Sequence, residues 1–127
     1  MEYKKTFGDL YKSAKDKFNI QQAPKLHLRQ DKENAKDIFG KTAYYDPNES
    51  TIVVFITNRH PKDILRSYCH ELIHHVQNER GDLNMGDASS PTYAQDDKHM
   101  RNMEKEAYLE GNLLLRDFED NFKYENK

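Results

Sequence analysis

The chain is poor in the features that would point to several large protein classes. It has one cysteine, Cys69, so no internal disulfide can staple it. No stretch approaches the ~18 consecutive apolar residues of a membrane-spanning helix, and the opening MEYKKTFGDL lacks the apolar segment of a secretory signal. Neither sign of charge dominates. Twenty basic and 22 acidic side chains leave a formal net charge of −2, interleaved along the chain, so no basic field exists to gather phosphates. These absences argue against nucleic acid and membrane as partners and lead us to expect a soluble, cytoplasmic protein. A monomer is favoured over an oligomer. What remains, 127 residues with 35% hydrophobic side chains, suits one domain, 1–127, around one modest core.

Periodicity sets out the elements. Tyr3, Phe7, Leu10, Tyr11, Ala14 and Phe18 recur at helical steps of three and four, predicting a helix over 3–18 that breaks near Pro24. KLHLR, residues 25–29, alternates as a half-buried strand, and DKENAKDIFG, 31–40, reads as a short helix or loop ending at Gly40. TAYYD and TIVVFIT are β-prone runs joined by the turn-forming PNES, which predicts a β-hairpin. Pro61 and Asp63 suit the first turn of a helix over 61–79, stopped at Gly81. Residues 81–97 read as a loop, and a last helix over 98–122 carries Met103, Leu109, Leu113, Leu114 and Phe118.

Within the 61–79 helix stands YCHELIHHVQNERG, residues 68–81, with three histidines and two glutamates. His70, Glu71 and His74 spell HExxH. At about 100° per residue, His74 lies only about 40° round from His70 and one turn along, so both imidazoles can reach one ion. Glu71, about 100° round, lies beside that ion. Zinc hydrolysis needs this division: neutral imidazoles as ligands, an open position for water, and a separate carboxylate to take the proton. His75 points about 100° from His74, so it is expected to face solvent or to pair with Glu71, and Glu79 is expected to be a bystander. Cys69 falls among Leu65, Leu72 and Val76 and reads as a buried thiol.

A third protein ligand must come from elsewhere, and His99, Glu104, Glu106 and Glu110 are available. The metzincin pattern HExxHxxGxxH would need a glycine at 77 and a histidine at 80, where Gln77 and Arg80 stand. On the last helix Glu106 falls within the apolar face drawn through Met103, Leu109, Leu113 and Leu114, whereas Glu104 points roughly 160° away. Burying a lone carboxylate costs on the order of several kcal/mol unless a cation meets it, so Glu106 is expected to be the third ligand. An ion pair with Arg66 or Arg116 is its alternative role, and His99 is the other ligand candidate. Glu110, one turn on, can reach the free ring N–H of a ligating histidine, with a surface ion pair as its alternative.

With HELIHHVQ at 70–77 and EKEAYLEG at 104–111, the chain resembles a small gluzincin, the HExxH-plus-Glu branch of zinc metallopeptidases to which thermolysin belongs. The order of elements is similar, and the nearer likeness is to minigluzincins and relatives of repressor-cleaving metallopeptidases. The resemblance implies an α+β, zincin-like fold: a small antiparallel or mixed sheet with a β-hairpin packed on the HExxH helix, flanked by N- and C-terminal helices. It implies one zinc per chain held by His70, His74 and Glu106, with Glu71 as base and Glu110 orienting a ligand.

The expected activity is hydrolysis of a peptide or protein substrate, laid as an added strand along the hairpin sheet and covered by the 81–97 loop. Tyr93, His99 and Tyr108 are the candidate donors to the developing oxyanion. Two rival readings share the site: a catalytically retired zincin-fold module that binds protein, and a zinc hydrolase of non-peptide amides.

Overall fold

The computed structural model describes residues 3–36, 42–83 and 93–125. It begins with helix α1 (Tyr3–Phe18), where Phe7, Leu10 and Ala14 return on one face and are buried. Asn19 ends it in the left-handed conformation at φ 57, a position that asparagine tolerates, with its N–H on the Lys15 carbonyl at 2.8 Å. Strand β1 (Lys25–Arg29) and the short helix α2 (Lys32–Lys36) follow. The expected end of that segment at Gly40 lies outside the described residues.

β2 (Ala43–Asp46) and β3 (Thr51–Phe55) form the predicted hairpin, antiparallel with Ala43 opposite Val54. Its turn is held by the Asp46 carboxylate, whose Oδ1 accepts from the Asn48 N–H at 3.0 Å. All five residues of β3 are buried because it is the central strand: the order is β1-β3-β2, with β1 parallel to β3. A β-branched run suits that place, packed on both faces and paired on both edges. Among the described residues β2 is left as a free edge.

α3 (Pro61–Glu79) starts where His60 caps it, its Nδ1 accepting from the Lys62 N–H at 3.1 Å, with Pro61 in the first turn. It stops at Gly81, whose φ of 83 is the left-handed conformation that glycine adopts freely. Every residue from Tyr68 to Gln77 except His70 is buried, since the sheet covers one side of the helix and α1 and α4 the others. Ile64, Tyr68, Leu72 and Val76 meet Phe7, Ile52 and Val54 in the core, where the Phe7 and Tyr68 rings sit edge-on at 4.6 Å. The architecture is α+β, with four helices and one small mixed three-stranded sheet among the described residues.

α4 (Tyr93–Glu125) departs from expectation in two ways. It begins five residues before 98, so residues 93–97 of the expected loop are helical, while 84–92 lie outside the described residues. Its packing face is also rotated. Leu109, assigned above to the buried face, is 59% exposed, and the helix is buried instead at Ala107, Gly111, Leu114 and Leu115, with Gly111 against α3. Two of these four are too small to stand out in a hydrophobic pattern. That rotation decides which acidic side chain reaches the histidines. No helix among the described residues is long and apolar enough to cross a membrane.

Candidate metal centre

The middle of α3 and the first half of α4 meet at close range. A Cβ built on Gly111 would stand 3.0 Å from the His70 Cα and 3.1 Å from its N, so any larger residue would press the two backbones apart by a few tenths of an ångström. Glu104 lies seven residues before Gly111, two turns away on nearly the same line of α4, and so is delivered against the exposed end of the HExxH pair. Its Oε2 is 3.1 Å from His70 Nε2 and its Oε1 is 3.0 Å from His74 Nε2. One carboxylate therefore spans both imidazoles, which themselves meet edge-on at a centroid distance of 4.9 Å.

Glu106 does not stand there. Its Oε1 is 2.6 Å from Arg80 Nη2 and accepts from the Gln77 side-chain amide at 2.8 Å, and the Arg80 guanidinium holds its carboxyl below the usual range. The expectation that this inward glutamate meets the metal is thus corrected: its cationic partner is an arginine, one that the sequence reading did not consider. Glu110 is corrected likewise, since it reaches Lys17 of α1 at 3.8 Å and no histidine. Both follow from the rotation of α4, which turns 106 and 110 toward Arg80 and α1 and leaves 104 and Tyr108 facing the cleft.

Glu71 is 6% exposed, and its Oε2 is a buried oxygen with no hydrogen-bond partner. Burial, then the nearby Glu104, push its carboxyl up to about 8. A cation among these groups would oppose both causes and account for the orphaned oxygen. Donor atoms of His70, Glu71 and His74 lie within 4.8 Å of one another. The His70 imidazole is held below the usual histidine range by burial and by His74, against the pull of Glu104.

The two separations that the Glu104 carboxylate makes are compatible with a shared ion. Ligand atoms at 2.0–2.1 Å from a tetrahedral ion stand about 3.3 Å apart, close to the two nitrogen-to-oxygen separations seen here. Two imidazoles and one carboxylate leave a side of the donor set facing a cleft. Glu71, on the same helix but a different bearing, stands beside these donors.

That cleft, of about 760 Å³, lies between the free edge of β2 and the two long helices, and Tyr45, His70, Glu71, His74, Glu104 and Tyr108 all line it. Its far wall is fixed by Arg59, which donates to the Thr42 and Phe55 carbonyls at 3.0 and 2.8 Å and to Ser67 Oγ at 2.7 Å. These bonds tie the sheet edge to the start of α3.

Of the three candidate oxyanion donors, Tyr108 is at the site: its ring meets that of His70 edge-on at 5.4 Å, and it is 67% exposed. His99 instead donates through Nε2 to the Asp82 carbonyl at 2.6 Å, tying the end of the α3 turn to α4. As it does not line the cleft, it joins neither the ligand set nor the oxyanion side. The side chain of Tyr93 lies outside the described residues.

His75 is not solvent-facing, nor paired with Glu71. At 2% exposure it is a satisfied core histidine, with Nε2 donating to the Gln22 carbonyl at 2.7 Å and Nδ1 accepting from the Tyr45 hydroxyl at 2.7 Å. Glu79 stands apart from the cluster and holds structure instead, its two carboxylate oxygens accepting from the Gln21 and Gln22 N–H groups at 3.0 and 2.9 Å. Cys69 is fully buried as expected, and burial raises its thiol pKa.

Sequence reasoning set Glu104 aside as pointing away and missed Gln77. Gln77, fully buried, accepts from His74 Nδ1 at 2.8 Å and donates through Nε2 to the Met103 carbonyl at 2.9 Å as well as to Glu106. The available signal was its spacing, one turn after His74 on the same face. No family model matches this chain, and neither the curated proteins nor the solved structures compared with it give a match.

Proposed function

We propose that this protein is a zinc-dependent peptidase with a zincin-like arrangement, in which His70, His74 and Glu104 hold the metal and Glu71 is the general base. The observation that carries the reading is the carboxylate of Glu104 spanning the two HExxH imidazoles at 3.0 and 3.1 Å beside the orphaned Glu71 oxygen. A zinc ion at these donors would supply Lewis-acid polarisation of a carbonyl and of a water.

The chain's own groups do the rest. Glu71 takes a proton from the attacking water as its oxygen bonds to the scissile carbonyl carbon, and later gives that proton to the leaving nitrogen as the C–N bond breaks. Tyr108, beside His70 and open to the cleft, is placed to donate to the carbonyl oxygen as negative charge builds on it.

The free edge of β2 supports a peptide substrate. Thr42 accepts from the Phe55 N–H, so the antiparallel alternation turns the backbone groups of Ala43 and Tyr45 outward, where an extended chain could pair with them beside the cleft. The test is a digest of an unbiased peptide library by the zinc-loaded protein and by its Glu71→Gln variant. Cleavage by the first and none by the second, at equal zinc content, is expected. No cleavage by either would refute the peptidase reading and leave a binding module.

A further inference from the structure

Gln77 fixes more than its own position. Its Nε2 contacts the Met103 carbonyl and the Glu106 carboxylate, and both of these can only accept. The amide orientation follows, and Oε1 is the atom that faces His74 Nδ1. An amide oxygen can only accept too, so Nδ1 carries the hydrogen. In the neutral ring, Nε2 then presents a lone pair to Glu104 Oε1 at 3.0 Å, and two electron pairs face each other with no proton between them. Such a contact is repulsive unless a cation sits between the two atoms, either a metal ion or the second proton of an imidazolium. The opposite tautomer would place a proton on Nε2, give it to Glu104 in a direct hydrogen bond, and close the site.

We propose that Gln77 is a positioning residue: it holds the neutral His74 ring as the Nδ1–H tautomer and, through the Met103 carbonyl next to Glu104, aims the His74 Nε2 lone pair and the Glu104 carboxylate at one cation position. The inference rests on the reading of this site as a metal centre. Gln77 contacts both ligand-bearing helices, bonding a ligand directly on α3 and the residue before a ligand on α4. The Glu106–Arg80 pair at 2.6 Å acts behind it, since Glu106 is one of the two acceptors that prevent the amide from flipping. The chain His74, Gln77, Glu106, Arg80 thus takes the part that a single acidic residue often takes in supporting a ligating histidine. It also accounts for an inward glutamate that is not itself a ligand.

The test uses ¹⁵N NMR of the histidine rings in the metal-free protein, together with zinc affinity by competition against a chelator. In the natural chain His74 should be the Nδ1–H tautomer. In Gln77→Leu it should shift toward Nε2–H, and zinc affinity should fall by about 10- to 100-fold. The double variant Gln77→Glu with Glu106→Gln keeps an acceptor for His74 and reverses the polarity of the bond to residue 106, but leaves the Met103 carbonyl without its donor. It should restore the tautomer while affinity recovers only in part, which separates positioning from loss of fold. An Nε2–H ring in the natural chain would overturn the proposal, as would a Gln77→Leu variant with unchanged tautomer and affinity within twofold. So would failure of the double variant to restore the tautomer. If the natural chain bound no zinc, the metal reading would fall, whereas the tautomer would still report whether Gln77 sets the ring.

Discussion

The Cβ that Gly111 lacks would stand 3.0 Å from the Cα of His70, in contact with main chain that has no flexible end to swing aside. The separation of α3 and α4 is thereby set at the residue that begins HExxH. Gly111→Ala is expected to destabilise the protein by about 1–3 kcal/mol, the usual cost of overpacking, despite the higher helix propensity of alanine. It should also weaken zinc binding by moving Glu104 off the imidazoles. Denaturant titration and metal competition on the same samples check both effects, and a stabilised variant with unchanged affinity would contradict the close approach.

Tyr45 and His75 supply a control away from the metal donors. The Tyr45 hydroxyl donates to His75 Nδ1 and accepts from the Asn78 side-chain amide at 3.0 Å. Tyr45→Phe leaves a buried ring nitrogen without its donor and should cost about 1–3 kcal/mol. Zinc stoichiometry should not change. Thermal unfolding and metal analysis together check this, and loss of zinc in the variant would implicate His75 as a ligand.

Cys69 lies next to His70 yet is fully buried, with burial raising its pKa. A maleimide or aromatic disulfide reagent should label it only as fast as the protein unfolds, and added zinc should slow labelling only by slowing unfolding. Rapid labelling of the folded chain that zinc abolishes would instead make the thiol a ligand.

Much of this arrangement could be read in the sequence, and the parts that could not share a physical cause. TIVVF declares a strand because β-branched residues run without interruption, and the hairpin because PNES carries turn chemistry within a few residues. HExxH can be read because both histidines and the glutamate sit on one helix whose geometry fixes their bearings. The carboxylate that reaches the histidines is different: it depends on how α4 is rotated against α3, and that rotation is set by Ala107 and Gly111, which add almost nothing to a hydrophobic pattern. Leu109 pulled the inferred face the wrong way and turned Glu106 toward the histidines in place of Glu104. The parallel pairing of β1 with β3 escaped notice for a related reason, being a contact between distant segments that alternation alone does not specify. Arg80 and Gln77 escaped because their roles exist only once two helices are placed together.

Zinc bound to the folded chain stabilises it by mass action, by about 4 kcal/mol at a free concentration a thousand times the dissociation constant. A chelator should therefore lower the unfolding midpoint of the natural chain and leave that of Glu104→Ala almost unmoved. Equal shifts in the two proteins would place the metal elsewhere.

The central claim concerns which glutamate completes the site, and zinc per chain in three purified proteins tests it most directly. The natural chain is predicted to hold about one zinc, Glu106→Ala to retain it at reduced affinity, and Glu104→Ala to lose most of it. No zinc in the natural chain, or zinc kept by Glu104→Ala and lost by Glu106→Ala, would contradict the account.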